Sequence, residues 1–236
     1  MTGLPFQDRA EAGQRLASAL VRYRDQPDVL VLGLPRGGVP VAYEVARSLN
    51  AALDVFVVRK LGVPGQRELA MGAIATGGVR TINYDVIEGL GIPGDVIGLV
   101  VAEEERELER REQLYRQGRP RPAIPGKVVI LVDDGIATGS TMKAAVAALQ
   151  AQHPARLVVA VPVAPPSTRE ELGPAVNEFV CLFQPEFFRA VGEWYSDFRQ
   201  ISDEEVQELL RRASERIVTR PPDTSPHLAG SQSHPV

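Results

Sequence analysis

Two adjacent carboxylates, Asp133 and Asp134, stand at the end of the strongest strand signal in the chain, Lys127-Val-Val-Ile-Leu-Val132. Gly135-Ile136-Ala137-Thr138-Gly139 breaks that run, and helical spacing resumes from Ser140 to Gln150. A helix start presents unpaired N–H groups and the positive end of its dipole, which together favour a phosphate. Gly139 lets the backbone approach such a group closely, and Thr138, Ser140 and Thr141 add hydroxyl donors. Two acids beside a phosphate cradle would repel an anion unless they grip something else. Sugar hydroxyls or a hard cation such as Mg²⁺ would satisfy them. The chemistry therefore points to a ligand with a phosphate at one end and a diol or metal near the other.

Other residues have the types such chemistry would use. Leu34-Pro-Arg36-Gly37-Gly38 interrupts the chain after the apolar run Val29-Leu-Val-Leu-Gly33. Arg59 and Lys60 end a second apolar run, Asp54 to Val58, and Arg67 and Glu68 follow within a Gly- and Pro-bearing stretch, Leu61 to Gly72. That stretch is expected to be a mobile loop. Phe187, Phe188, Trp194, Tyr195 and Phe198 crowd one segment of a chain with 6% aromatics. A flat ring could stack there, with Trp194 and Tyr195 as the candidates. Cys181 sits in an apolar run and is expected to be buried and inert. His153, His227 and His234 are scattered.

The elements that must position these residues follow from the apolar periodicity. A helix is expected from Phe6 to Tyr23, strands at 28–33 and 54–58, and a helix at 39–49. Weak strand signals lie near Ala73–Ala75 and Val79–Asn83. Glu103 to Gln117 reads as a long solvated helix with an apolar seam at Val101, Leu108 and Tyr115. Strands at 127–132, 156–163 and 177–183 alternate with helices at 140–150 and 168–172. Ser202-Asp-Glu-Glu205 has the form of a capping box opening a last helix to about Ala213. The core strands are apolar throughout, the mark of an α/β fold with a mostly parallel sheet covered by helices on both faces. Ligands in such sheets bind beyond the carboxyl ends of the strands, which is where 34–38, 59–67 and 133–141 fall.

The pattern of four apolar residues, two acids, a short spacer and Thr-Gly-x-Thr resembles the 5-phosphoribosyl-1-pyrophosphate (PRPP) motif of type I phosphoribosyltransferases. The resemblance covers roughly residues 5–215. It implies that Asp133 and Asp134 hold the ribose hydroxyls, directly or through Mg²⁺, and that Ala137, Thr138, Gly139, Ser140 and Thr141 wrap the 5-phosphate. It also implies that Arg36, Gly37 and Gly38 bind pyrophosphate. Arg36, Lys60 and Glu68 would be the catalytic residues, the last two in a loop over the site. A small hood, from the N-terminal helix or about 184–200, would complete a domain of 1–215, leaving 219–236 as a disordered tail. The implied activity is transfer of phosphoribose to a nitrogen nucleophile, a nucleobase or related heterocycle, with release of pyrophosphate. A PRPP-sensing regulator without turnover is the alternative. Members acting on 6-oxopurines place an Asp where Ala137 stands, so a hypoxanthine–guanine enzyme is not expected.

Composition sets the outer limits. The chain has 236 residues, 44% hydrophobic and 24% charged, enough for a full core and ordinary for a globular protein. A net charge of −4 disfavours a nucleic-acid partner. No apolar run approaches the length of a membrane span and no signal peptide is seen, so a cytoplasmic protein is expected. A homodimer is compatible with the resemblance. A dinucleotide-binding oxidoreductase is excluded, because 34–38 lacks G-x-G-x-x-G and the acids abut the phosphate turn.

Overall fold

The computed structural model describes residues 6–218, apart from the side chains of residues 67, 68, 217 and 218. The tail expected to be disordered lies outside the described residues. In chain order the elements begin with α1 (Arg9–Ala19), β1 (Val29–Gly33), α2 (Gly38–Leu49) and β2 (Ala52–Val55). Then come β3 (Val58–Val63), β4 (Gln66–Ala75), β5 (Val79–Ile82), α3 (Tyr84–Leu90) and α4 (Gly94–Arg116). The last group is β6 (Val128–Val132), α5 (Ser140–Gln150), β7 (Arg156–Val163), α6 (Ser167–Leu172), β8 (Glu178–Phe183) and α7 (Asp203–Val218).

The main sheet has five strands in the order β2-β1-β6-β7-β8, every pair parallel. Side chains alternate across it, as strand geometry requires. Leu30, Leu32, Val129, Leu131, Val159 and Val161 pack with Met142, Ala145 and Leu149 of α5 on one face. Val29, Val31, Ile130, Val132, Val158 and Ala160 pack with Leu16 of α1 and Val41 and Val45 of α2 on the other. Both faces are covered, which is why these strands carry uninterrupted apolar runs.

The stretch expected to be a mobile loop, Leu61 to Gly72, is instead most of an antiparallel hairpin. β3 and β4 pair from Val58↔Ala75 to Val63↔Gln66, turning at Pro64-Gly65, and β5 adds a third strand. Its apolar residues Leu61, Val63, Met71 and Ile74 are buried against Val101 and Leu108 of α4 and Leu210 of α7. Glycine and proline content concealed a strand whose partners are local in sequence. The α4 seam at Val101, Leu108 and Tyr115 is buried as its spacing foretold, but Glu112 and Arg116 are buried with it. Arg116 donates from Nε to Asp54 at 2.9 Å and from Nη1 to Glu112 at 2.7 Å, tying α4 to the edge of the main sheet.

Candidate active site

β6 is buried along its length from Val129 to Val132 and delivers Asp133 and Asp134 to the carboxyl edge of the sheet. The chain then turns through Gly135, whose missing side chain leaves room for Val191 and Val163. Ile136 N–H returns to Val163 O at 3.0 Å, which pins the turn to β7. Gly139 stands at the N-cap of α5 with φ +72°, a conformation that favours glycine, and supplies no side-chain cap. The first-turn amides of α5 have no intrahelical acceptors, and no capping side chain takes their place. A cavity of about 190 Å³ opens over this turn, lined by Asp133, Ala137–Thr141, Met142 and Val191.

The electrostatics set the two acids apart. Asp133 is held well above the ordinary aspartate range by burial and by the neighbouring charge of Asp134. It accepts the Asp134 N–H at 2.9 Å. Burial also raises Asp134, opposed by an ion pair in which Arg9 Nε meets Oδ2 at 2.8 Å. Arg9 is held in turn by Arg199 O at 2.8 Å and by the Phe198 ring, 3.9 Å from its guanidinium carbon. Nothing in the chain's local pattern singles out Arg9, one cation among several in an amphipathic helix and 125 residues from its partner.

The glycine loop after β1 meets the same acids from the other side. A Cβ on Gly37 would lie 2.0 Å from Asp134 Oδ2, and one on Gly38 would lie 2.8 Å from Asp133 Oδ1. The structure thus brings Gly37, Gly38, Asp133, Asp134 and the Ala137–Thr141 turn together. Arg36 follows a cis Pro35–Arg36 peptide, and its side chain faces Asp203 at 3.9 Å and lines a different cavity. Lys60 does not end a core strand, since β2 stops at Val55 and Lys60 lies in mid-β3 opposite Ala73. Arg59, beside it, pairs with Glu104 of α4 at 2.6 Å. Glu68 belongs to β4, and its side chain lies outside the described residues.

The aromatic segment divides. Tyr195 is 3% exposed, packs on Phe6 and Phe198, and donates its hydroxyl to Asp134 O at 2.6 Å. Its ring faces are committed to packing, so the expectation that it offers one to a ligand is corrected. Trp194 is half-buried and stacks on Phe188 with ring centroids 6.4 Å apart. Its indole N–H is buried without a partner among the described residues. The segment also pairs with the chain's start, Phe6 bridging Tyr195, so the two candidate hood pieces form one unit.

A family model described as the phosphoribosyl transferase domain matches residues 6–179. The chain belongs to the phosphoribosyl transferase family. Two Mycobacterium tuberculosis proteins, of strains CDC 1551 and H37Rv and each named a "putative phosphoribosyl transferase", share 48% identity with it over 208 residues. The match covers 88% of this chain and 47% of theirs, so the chain spans about half the length of these curated relatives. The crystal structure of TT1426 from Thermus thermophilus superposes with a TM-score of 0.78 at 42% identity. It covers 88% of this chain and 98% of that one.

In this phosphoribosyl transferase domain the two acids set what metal the site could hold. Among the described residues no group of three or more His, Cys, Asp or Glu side chains converges to cage an ion. Mg²⁺ commonly binds through one or two carboxylates while keeping waters and taking substrate oxygens. Asp133 and Asp134 fit that mode, and they do not fit an ion held by protein alone. No helix among the described residues is long and apolar enough to cross a membrane.

Proposed function

We propose that this domain transfers phosphoribose from PRPP to a nitrogen nucleophile of the nucleobase or heterocycle class. In the reaction the C1–O bond to pyrophosphate breaks and a C1–N bond forms. Pyrophosphate leaves with the bonding electrons, and the acceptor gives up a proton. The observation that carries the reading is the uncapped N-terminus of α5 directly after two acids that the glycine loop packs against.

The amides and hydroxyls of Ala137–Thr141 would bind the 5-phosphate, using the dipole of α5. Asp133 and Asp134 would accept from the ribose hydroxyls and fix C1 relative to Gly37 and Gly38. The Gly37 amide would donate to pyrophosphate, where negative charge grows as the bond breaks, while the Gly38 N–H is held by Leu34 O at 3.0 Å and keeps the loop closed. Mg²⁺ held by Asp133 and Asp134 through water or substrate oxygens would add charge stabilisation for the leaving group. Val191 and Met142 line the cavity and would limit water at the reacting carbon.

A thermal-shift titration tests this directly. PRPP with Mg²⁺ at about 100 times its Kd should stabilise the chain by about 2.7 kcal/mol, roughly 5–10 °C for this size. The D133N/D134N variant should lose the shift. An unchanged wild-type melting temperature at millimolar PRPP would overturn the reading. Pyrophosphate release on adding heterocyclic acceptors then separates turnover from PRPP sensing. The ion pair of Arg9 with Asp134 would compete with a ribose diol for that acid, which gives the sensor reading its own observation, and binding without release from any acceptor would favour it.

A further inference from the structure

Arg9 opens α1, is 8% exposed, and reaches the site acids from outside the parallel sheet. Its Nε donates to Asp134 Oδ2 at 2.8 Å, and its Nη1 donates to Arg199 O at 2.8 Å. Its guanidinium carbon lies 3.9 Å from the centre of the Phe198 ring. The planar fork therefore has one edge on the acid, one on a carbonyl and a face on an aromatic ring. An ammonium group cannot reproduce that set of contacts. The carbonyl is anchored in turn. Arg199 pairs through both Nη atoms with Glu205, and Glu205 closes the capping box of α7 with Ser202. On its other side Asp134 abuts Gly37, and its backbone carbonyl accepts the Tyr195 hydroxyl at 2.6 Å. The terminal torsion of an aspartate is broad when nothing holds it. Here Oδ2 is committed to Arg9, so Oδ1 is the oxygen left for a ligand.

We infer that Arg9 is a positioning residue, which orients Asp134 so that Oδ1 accepts a ribose hydroxyl. This role rests on the PRPP reading. Arg9 acts through Asp134 and does not itself touch the sugar. A guanidinium that merely competed with the diol would have the opposite effect, because its removal would tighten sugar binding. A guanidinium that acted only by its charge would favour every anion at the site, a bare phosphate included. Positioning favours the sugar alone, since the phosphate turn at Ala137–Thr141 is built from its own backbone and hydroxyls. Arg9 also lines a cavity of about 480 Å³ between α1, α2 and α7, with Pro40, Ile201 and Leu209 on its wall. That cavity gives a small guanidinium in solution a way to the place of the Arg9 side chain.

Calorimetric titration of the full chain with ribose 5-phosphate and with inorganic phosphate tests the role. R9M should bind ribose 5-phosphate about tenfold more weakly or worse, as when a hydrogen bond to a charged acceptor is lost. Its affinity for inorganic phosphate should change by no more than about twofold, the screened effect of one charge. R9K keeps the charge without the fork and should lose the sugar as R9M does. Ethylguanidinium, the fragment that R9A removes, should restore ribose 5-phosphate binding to R9A and leave wild type unchanged. Phe198 is 36% exposed, so F198L should fold even if R9M does not, with melting temperatures as the check. By loosening the clamp on Arg9, F198L should weaken ribose 5-phosphate in the same direction and leave phosphate alone. Equal or tighter ribose 5-phosphate binding by R9M would overturn the role, as would wild-type affinity in R9K. Equal loss of both ligands would reduce Arg9 to a source of charge and overturn it too. If wild type binds neither PRPP nor ribose 5-phosphate, the PRPP reading falls and takes this role with it. If wild type binds both and the Arg9 variants match it, the role falls alone.

Discussion

Asp133 is costly to the folded protein. Its carboxyl is buried beside another acid, and its native pKa lies well above the ordinary value of 3.8. The native state therefore holds that proton more tightly than the unfolded chain does. Its contribution to stability is fully present below the unfolded pKa and is lost as pH rises through the raised native pKa. An Asn there keeps an oxygen for the Asp134 N–H and carries no charge. Asp133→Asn should thus raise the melting temperature at neutral pH and flatten its decline above the aspartate range. Each kcal/mol relieved corresponds to roughly 2–4 °C for a chain of this size. PRPP binding should fall in the same variant, a trade of stability for function common at binding sites. Thermal melts from pH 3 to 8 with and without PRPP check both halves, and a D133N protein less stable than wild type at pH 7 would refute the first.

At the scale of elements, the glycine loop shows how close packing makes a small residue necessary. Gly37 has φ −61° and ψ −32°, which any residue adopts, so backbone freedom is not the reason for it. The reason is Asp134 Oδ2, which a Cβ would meet at 2.0 Å. Arg9 tethers that carboxylate, so it cannot step aside cheaply. Gly37→Ala should cost about 1–3 kcal/mol as overpacking and weaken PRPP binding together with stability. Gly65→Ala, at φ +80° with open space around it, should cost about 1–2 kcal/mol through backbone strain alone and leave PRPP affinity unchanged. Urea melts and PRPP titrations of both variants separate the two mechanisms. The turn between β6 and α5 and the glycine loop were legible in the sequence as breaks in the chain because each is short, contiguous and bounded by a buried strand. The capping box was legible for the same reason, Ser202 and Glu205 exchanging backbone bonds at 3.2 and 3.0 Å. Arg9, Val191 and the true strand ends were not, because they depend on contacts far apart in the chain. The β3–β4 hairpin was hidden by Gly62, Pro64 and Gly65, residues that punctuate a turn and a bulged strand as readily as a loop.

Across the whole molecule, the question is whether the small antiparallel sheet and α4 fold with the parallel sheet or apart from it. One apolar cluster joins Val39 and Val55 of the main body to Leu61 and Met71 of the hairpin, Leu108 of α4 and Leu210 of α7. A buried ionic link runs beside it. Arg116 is 5% exposed and binds Asp54 of β2, Glu112 of its own helix and the Val55 carbonyl. Burial raises the Asp54 pKa even with Arg116 alongside, so the pair is expensive to desolvate and more expensive to break. Arg116→Met should therefore cost about 3–5 kcal/mol, because it leaves Asp54 buried without the cation it binds. Glu112 retains Arg121 as a second partner, so most of the loss should trace to Asp54. Adding Asp54→Leu to Arg116→Met should recover much of it, since an apolar pair of similar volume is often neutral against a buried ion pair. The shared cluster requires all of these proteins to unfold in a single calorimetric transition. Two transitions in Arg116→Met would show that the ionic link, and not the apolar cluster, is what makes the hairpin and the main sheet one cooperative unit.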